Sequence, residues 1–165
     1  MMTIFGLLPT YEAATTIVDE LMTAGAEPSE LNALVKSGIA KETMDLNLAR
    51  AGVAVTDEVG DIEIHGLERL VGGEQPVPLP GLGDVYAAGE LATLMATAAQ
   101  ARREEGRGME PAFREFQLPA SAATAFYEGI DGGDWLIFVR ADDDKAQELV
   151  SVFRLHTEDV TTITG

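Results

Sequence analysis

The two ends of the chain carry the same three-part pattern, and that repetition constrains the fold more than any other feature. Thr3-Ile-Phe-Gly-Leu-Leu8 is a short apolar run closed by Pro9. Thr10 follows as an N-cap for a helix opening at Tyr11-Glu12, in which Ala14, Ile17, Val18, Leu21 and Met22 recur at three- and four-residue steps. Asp19 and Glu20 fall on the opposite side, and Gly25 supplies the stop. After the turn Glu27-Pro28-Ser29, the run Leu31-Asn-Ala-Leu-Val35 reads as a second strand. At the far end, Trp135-Leu-Ile-Phe-Val139 is the best strand in the chain, held between Gly132-Gly133 and Asp142-Asp143-Asp144. The aspartates open a helix whose Ala146, Leu149, Val150 and Phe153 share one stripe, and Glu158 to Ile163 returns as a strand. A shift of 133 residues lays Ile4 on Ile137, Phe5 on Phe138, Ala13 on Ala146 and Ile17 on Val150. Two βαβ halves of this kind pair as a four-stranded antiparallel sheet with two helices on one face. The expected fold class is therefore α+β, a ferredoxin-like βαβ-βαβ sandwich with a large structured insertion between the halves.

On this reading residues 1-36 and 134-165 form a split ferredoxin-like core, and 37-133 is an inserted segment of mixed helix and short strands. That insertion, roughly a hundred residues, is far longer than the usual connection of about 2–6 and must carry structure of its own. Within it, Lys41 to Arg50 reads as a short helix, and Gly52 to Val55 and Ile62 to Ile64 as short β-like runs. Gln75-Pro-Val-Pro-Leu-Pro80 is extended because its prolines fix φ. Leu91 to Arg103 is helical, the charged stretch Arg102 to Gly108 is a loop, and Leu118-Pro119 through Gly129 is a second helix. The four-stranded core would leave one sheet face to be covered by the insertion or by another copy of the chain. Joining the halves directly, without 38–133, would on this reading leave a compact fold.

Charge narrows the function classes. The 165 residues include 28 Asp or Glu against 11 Lys or Arg, a formal charge of −17, and no basic stripe that could replace phosphate counterions. Nucleic acid is excluded as an expected partner. Hydrophobic residues make up 46%, enough for a packed core. There is no cysteine, which excludes thiol chemistry and suits a reducing, cytoplasmic setting. Met1 to Leu8 lacks a positive n-region, and Gly81 to Ala101 carries Asp84 and Glu90, so neither an export signal nor a membrane span is expected.

The sharpest local pattern for chemistry is Asp61, Glu63 and His65. On a strand through Ile62 and Ile64 the three side chains share a face and form a weak candidate for a divalent metal, although an acidic strand turning its polar side outward is the preferred reading. His156 stands at the end of the last helix, where a cation favours the dipole. Gly81-Leu-Gly83 has no following Gly-Lys-Ser/Thr and reads as a tight turn between Pro80 and Val85. Ser29, Ser37, Ser121 and Ser151 lack a Gly-x-Ser-x-Gly setting. Asp142-Asp143-Asp144 lacks the ligand spacing of a calcium loop and serves as helix capping. Trp135 is read as buried, anchoring the sheet against the insertion. No catalytic residue and no cofactor is expected.

Three segments carry a resemblance: Pro80-Gly-Leu-Gly-Asp-Val-Tyr-Ala-Ala-Gly89 on to Leu91, Leu118-Pro119 through Tyr127-Glu-Gly129 to Gly133, and Val139 to Val160. In order and composition they resemble the bacterial general stress protein 17M (YflT-like, heat-induced stress protein) family. The family's insertion is often a long Gly/Ala-rich zipper, whereas Thr56 to Glu74 here carries Asp57, Glu58, Asp61, Glu63, Glu68 and Glu74. No membrane association carries over. The resemblance implies a stress-associated protein without an assigned chemistry. The leading expectation is thus a non-enzymatic cytoplasmic domain, a homodimer or higher assembly, that mediates self-association or partner contact. The alternative is a small-molecule-sensing regulatory domain, with an apolar or cationic ligand in a cleft between the sheet and the insertion. A metal-dependent enzyme rests on Asp61, Glu63 and His65 alone.

Overall fold

The computed structural model describes residues 1–36, 77–79, 83–101, 110–158 and 160–164. In chain order they form β1 (Met2–Leu8), α1 (Tyr11–Thr23), a 3-10 turn (Pro28–Glu30), β2 (Leu31–Lys36), β3 (Val77–Leu79) and β4 (Gly83–Ala88). Then come α2 (Glu90–Ala101), α3 (Glu110–Glu115), α4 (Ala120–Asp131), β5 (Trp135–Ala141), α5 (Asp143–His156) and β6 (Val160–Thr164). The strands make one six-stranded sheet in the order β3-β4-β2-β5-β1-β6, and every pairing is antiparallel. The molecule is α+β.

The sheet is larger than the four strands expected because β3 and β4, from the inserted segment, extend it beyond β2. Ala33 of β2 faces Ala88 of β4 and Lys36 faces Val85. Of Gly81-Leu-Gly83, read as a tight turn, the structure describes only Gly83, which opens β4; residues 80–82 lie outside the described residues. Gly83 has φ +77 and pairs with Leu79. Gly83-Asp-Val-Tyr-Ala-Ala has weak β-propensity, and its place is set by tertiary pairing.

Both faces of the sheet are covered. On one side α1 and α5 lie over Ile4, Leu8, Leu31, Ala33, Val35, Ile137 and Val139. On the other, α2, α3 and α4 lie over Phe5, Leu7, Leu34, Val85, Leu136 and Phe138. Phe5 stacks on Phe138 at 4.9 Å and on Phe126 of α4 at 5.6 Å, and Phe126 meets Phe113 of α3 edge-on. The inserted segment therefore supplies the cover that the core helices leave open. Trp135, 1% exposed, is buried as expected but on the other face, tilted against Tyr11 of α1 at 5.7 Å rather than toward the insertion.

The near-repeat is real in the strands and displaced in the helices. Ile4 and Ile137 both face α1 and α5, and Phe5 and Phe138 both face away. In the helices the buried equivalents are Ala14 with Ala146, Ile17 with Leu149 and Leu21 with Phe153, one residue out of step with the strands. Pro9 and Thr10 join β1 to α1, whereas Asp142 alone joins β5 to α5. Val150, aligned with Ile17 by the simple shift, is only partly buried.

Candidate functional site: a groove between sheet and inserted helices

A groove of about 410 Å³ opens where the sheet end meets the inserted helices. From the sheet it takes Thr3, Phe5, Arg140 and Ile163, and from the helical layer Leu91, Met95, Phe116 and Gln117. The strand register explains the first group. Thr3 of β1 lies between Arg140 of β5 and Ile163 of β6, so the three stand in one row across the sheet on the Phe5 and Phe138 side. Phe5 and Met95 are buried and form the floor, Leu91, Phe116 and Ile163 are half-buried walls, and Gln117 and Arg140 are exposed at the rim.

Asn32 fixes one wall. It is 3% exposed on an otherwise apolar strand, its Nδ2 donates to Glu30 O at 3.2 Å, and its Oδ1 accepts from Ala92 N at 3.0 Å. That bond caps the first turn of α2 from a strand sixty positions earlier, doing what an N-cap side chain does locally. The local N-cap position is Gly89, with φ +97, and a Cβ there would fall 2.4 Å from both Asn32 Oδ1 and Leu31 O. Glycine is required for α2 to approach β2, and this approach places Leu91 and Met95 over the sheet.

Gln117 closes α3. Its N–H donates to Arg114 O at 3.0 Å and the Leu118 N–H to Phe113 O at 3.0 Å, the two bonds of a Schellman end. The same pair of bonds ends α1 at Gly25, φ +110, and α4 at Gly133, φ +98. At the end of α3 the left-handed position holds Gln117 instead, at φ 68, the one described non-glycine residue with positive φ. A side chain is thus kept at a strained position, and it lines the groove.

The Arg140 side chain makes no hydrogen bond and no ion pair among the described residues, whereas Lys36 is held by Asp131 at 2.9 Å and Lys145 by Glu30 at 3.4 Å. It also lines a second groove of about 250 Å³, shared with Leu91 and bordered by Ser29, Glu30 and Glu90. Arg140 and Leu91 form the ridge between the two. A cleft between sheet and inserted helices is therefore present, but among the described residues the charge lining its larger part is a guanidinium, opposite in sign to what the expected cationic ligand would need. A lone Arg on the strand Trp135–Ala141 and a lone Asn on Leu31–Lys36 were the sequence signals of this site. Gln117 had none beyond its place before Leu118-Pro119.

Asp61, Glu63, His65, Ser37, Gly81 and the segments 41–50, 52–55, 62–64 and 102–108 lie outside the described residues. His156 ends α5 as expected, and its Nε2 engages Glu20 Oε2 of α1, tying the two helices together. Asp142 is the N-cap of α5 by position, with no side-chain cap bond. Ser151 Oγ donates to Gln147 O at 3.1 Å inside α5, and Ser121 is exposed in the first turn of α4. Among the described residues no group of three or more acidic or histidine side chains could hold a metal, and no helix is long and apolar enough to cross a membrane. No protein-family model, curated protein or solved structure matches the chain.

Proposed function

We propose that the chain is a non-enzymatic, small-molecule-binding regulatory domain built on a ferredoxin-like frame, with the groove beside Arg140 as its binding site. The frame is supported by the strand order β2-β5-β1-β6 with α1 and α5 together on one face, the arrangement two βαβ halves adopt. The observation that carries the binding reading is Gln117: a strained residue at a helix end that otherwise takes glycine, set on the rim of a groove with an apolar floor. The stress-associated setting belongs to the proposal through the sequence resemblance alone, and the cytoplasmic one through the absence of cysteine. A small-molecule screen read by backbone amide shifts tests the binding reading. Binders should move Thr3, Leu91, Gln117 and Arg140 together, and a screen in which no compound perturbs that set rejects the site.

Self-association keeps one specific observation of its own. Among the described residues β6 is a sheet edge, and Val160-Thr-Thr-Ile-Thr164 is β-branched throughout with no charge or proline to blunt it. A second copy pairing along β6 would continue the sheet. Sedimentation should then show a dimer that Thr162→Lys dissociates, and a monomer at micromolar concentration discards this mode. A metal-dependent enzyme rests on Asp61, Glu63 and His65 only, and metal analysis of the purified protein decides it.

A further inference from the structure

Resting on the groove as a binding site, we infer that its ligand is a small monocarboxylate with an apolar body, its carboxylate held by Arg140 and its body laid over Phe5 and Met95. The guanidinium is exposed, without a partner among the described residues, and stands at the rim of a groove whose floor and walls are Phe5, Leu91, Met95, Phe116 and Ile163. Its planar fork matches a carboxylate bidentately, and the Thr3 hydroxyl and Gln117 amide provide neutral donors at the same rim.

The surroundings select single over multiple charge. Among the described residues Arg140 is the one cation lining the groove, while Glu30 and Glu90 border the adjoining one, and the chain as a whole carries −17. A phosphate dianion would meet one favourable charge against those carboxylates. In the first turn of α2 the Ala92 N–H is already taken by Asn32, and Glu90 sets a carboxylate there against an anion. A neutral apolar compound would leave the guanidinium unused, and an amine would face it with like charge. Met95 suits bodies of varied shape, being unbranched and adaptable.

The test titrates the full chain with octanoate and 4-phenylbutyrate, and with octanamide, octylamine and phenyl phosphate as comparisons, following amide shifts and heats. The carboxylates should bind about tenfold or more tightly than the amide. Arg140→Gln should remove that margin while leaving the amide's weak binding in place. Arg154→Gln, which alters an exposed arginine in a separate groove on α5, should change nothing. Amide and carboxylate binding equally at the groove, or phenyl phosphate binding more tightly than either carboxylate, overturns the ligand class and leaves the binding site standing. Failure of every probe to perturb Thr3, Leu91, Gln117 and Arg140 overturns both.

Discussion

Gln117 sets a local cost against a local use. A left-handed residue with a Cβ costs about 1 kcal/mol relative to glycine, reduced by the greater entropy glycine has in the unfolded chain. Gln117→Gly should therefore stabilise the protein by about 0.5–1 kcal/mol in denaturant unfolding while weakening carboxylate binding. Gln117→Ala keeps the strain and removes the amide, so it should weaken binding without the gain in stability. A glycine variant that binds as well as the parent would detach Gln117 from the site. Asn32 is the converse case, a buried polar side chain whose loss orphans the Ala92 N–H. Asn32→Ala should cost about 1–2 kcal/mol, read from the same unfolding curves, and Asn32 was visible in the sequence only as an unexplained amide in an apolar strand.

At the level of elements, legibility followed whether the local pattern or a distant partner decided the conformation. Helix α1 was readable to its ends, since Thr10 Oγ1 accepts from Ala13 N at 3.1 Å and Gly25 closes the last turn. Strands β1, β2 and β5 were readable as apolar runs. Their lack of alternation also implied burial on both faces, because a half-exposed strand would interleave polar residues. Helix α3, six residues including Pro111, is too short to show a period, and β4 exists through its pairing with β2. The one-residue step between strand and helix equivalences has a measurable consequence. Leu149→Ala, at the fully buried counterpart of Ile17, should cost about 2–4 kcal/mol, as should Ile17→Ala. Val150→Ala should cost about 1 kcal/mol because its side chain is only partly buried. Thermal and denaturant unfolding of the three variants compares them directly, and equal losses at Leu149 and Val150 would place the helix in the other register.

For the whole molecule, the decisive relation is between the two halves of the near-repeat and the segment that separates them. Read as a sequence, the halves looked self-sufficient, with the insertion an addition to a core that could stand without it. The packing of the second sheet face argues for the opposite outcome. Phe5, Leu7, Leu34, Leu136 and Phe138 belong to the core strands, yet they are buried by Met95, Phe113, Phe126 and Ile130 from the inserted helices. Removing 38–133 and joining β2 to β5 by a short loop would preserve every contact among β1, α1, β5 and α5 while exposing those five large side chains on one continuous face. Each fully buried side chain of this size contributes about 1.5–3 kcal/mol, so the exposed face would forfeit an amount comparable to the whole stability of a small domain. The expected outcome is loss of cooperative thermal unfolding, with the truncated chain eluting as aggregate in size-exclusion chromatography. A truncated monomer that melts cooperatively would show that the α1 and α5 layer suffices. The insertion would then be an accessory, and the groove it forms with Arg140 could be deleted without loss of the fold.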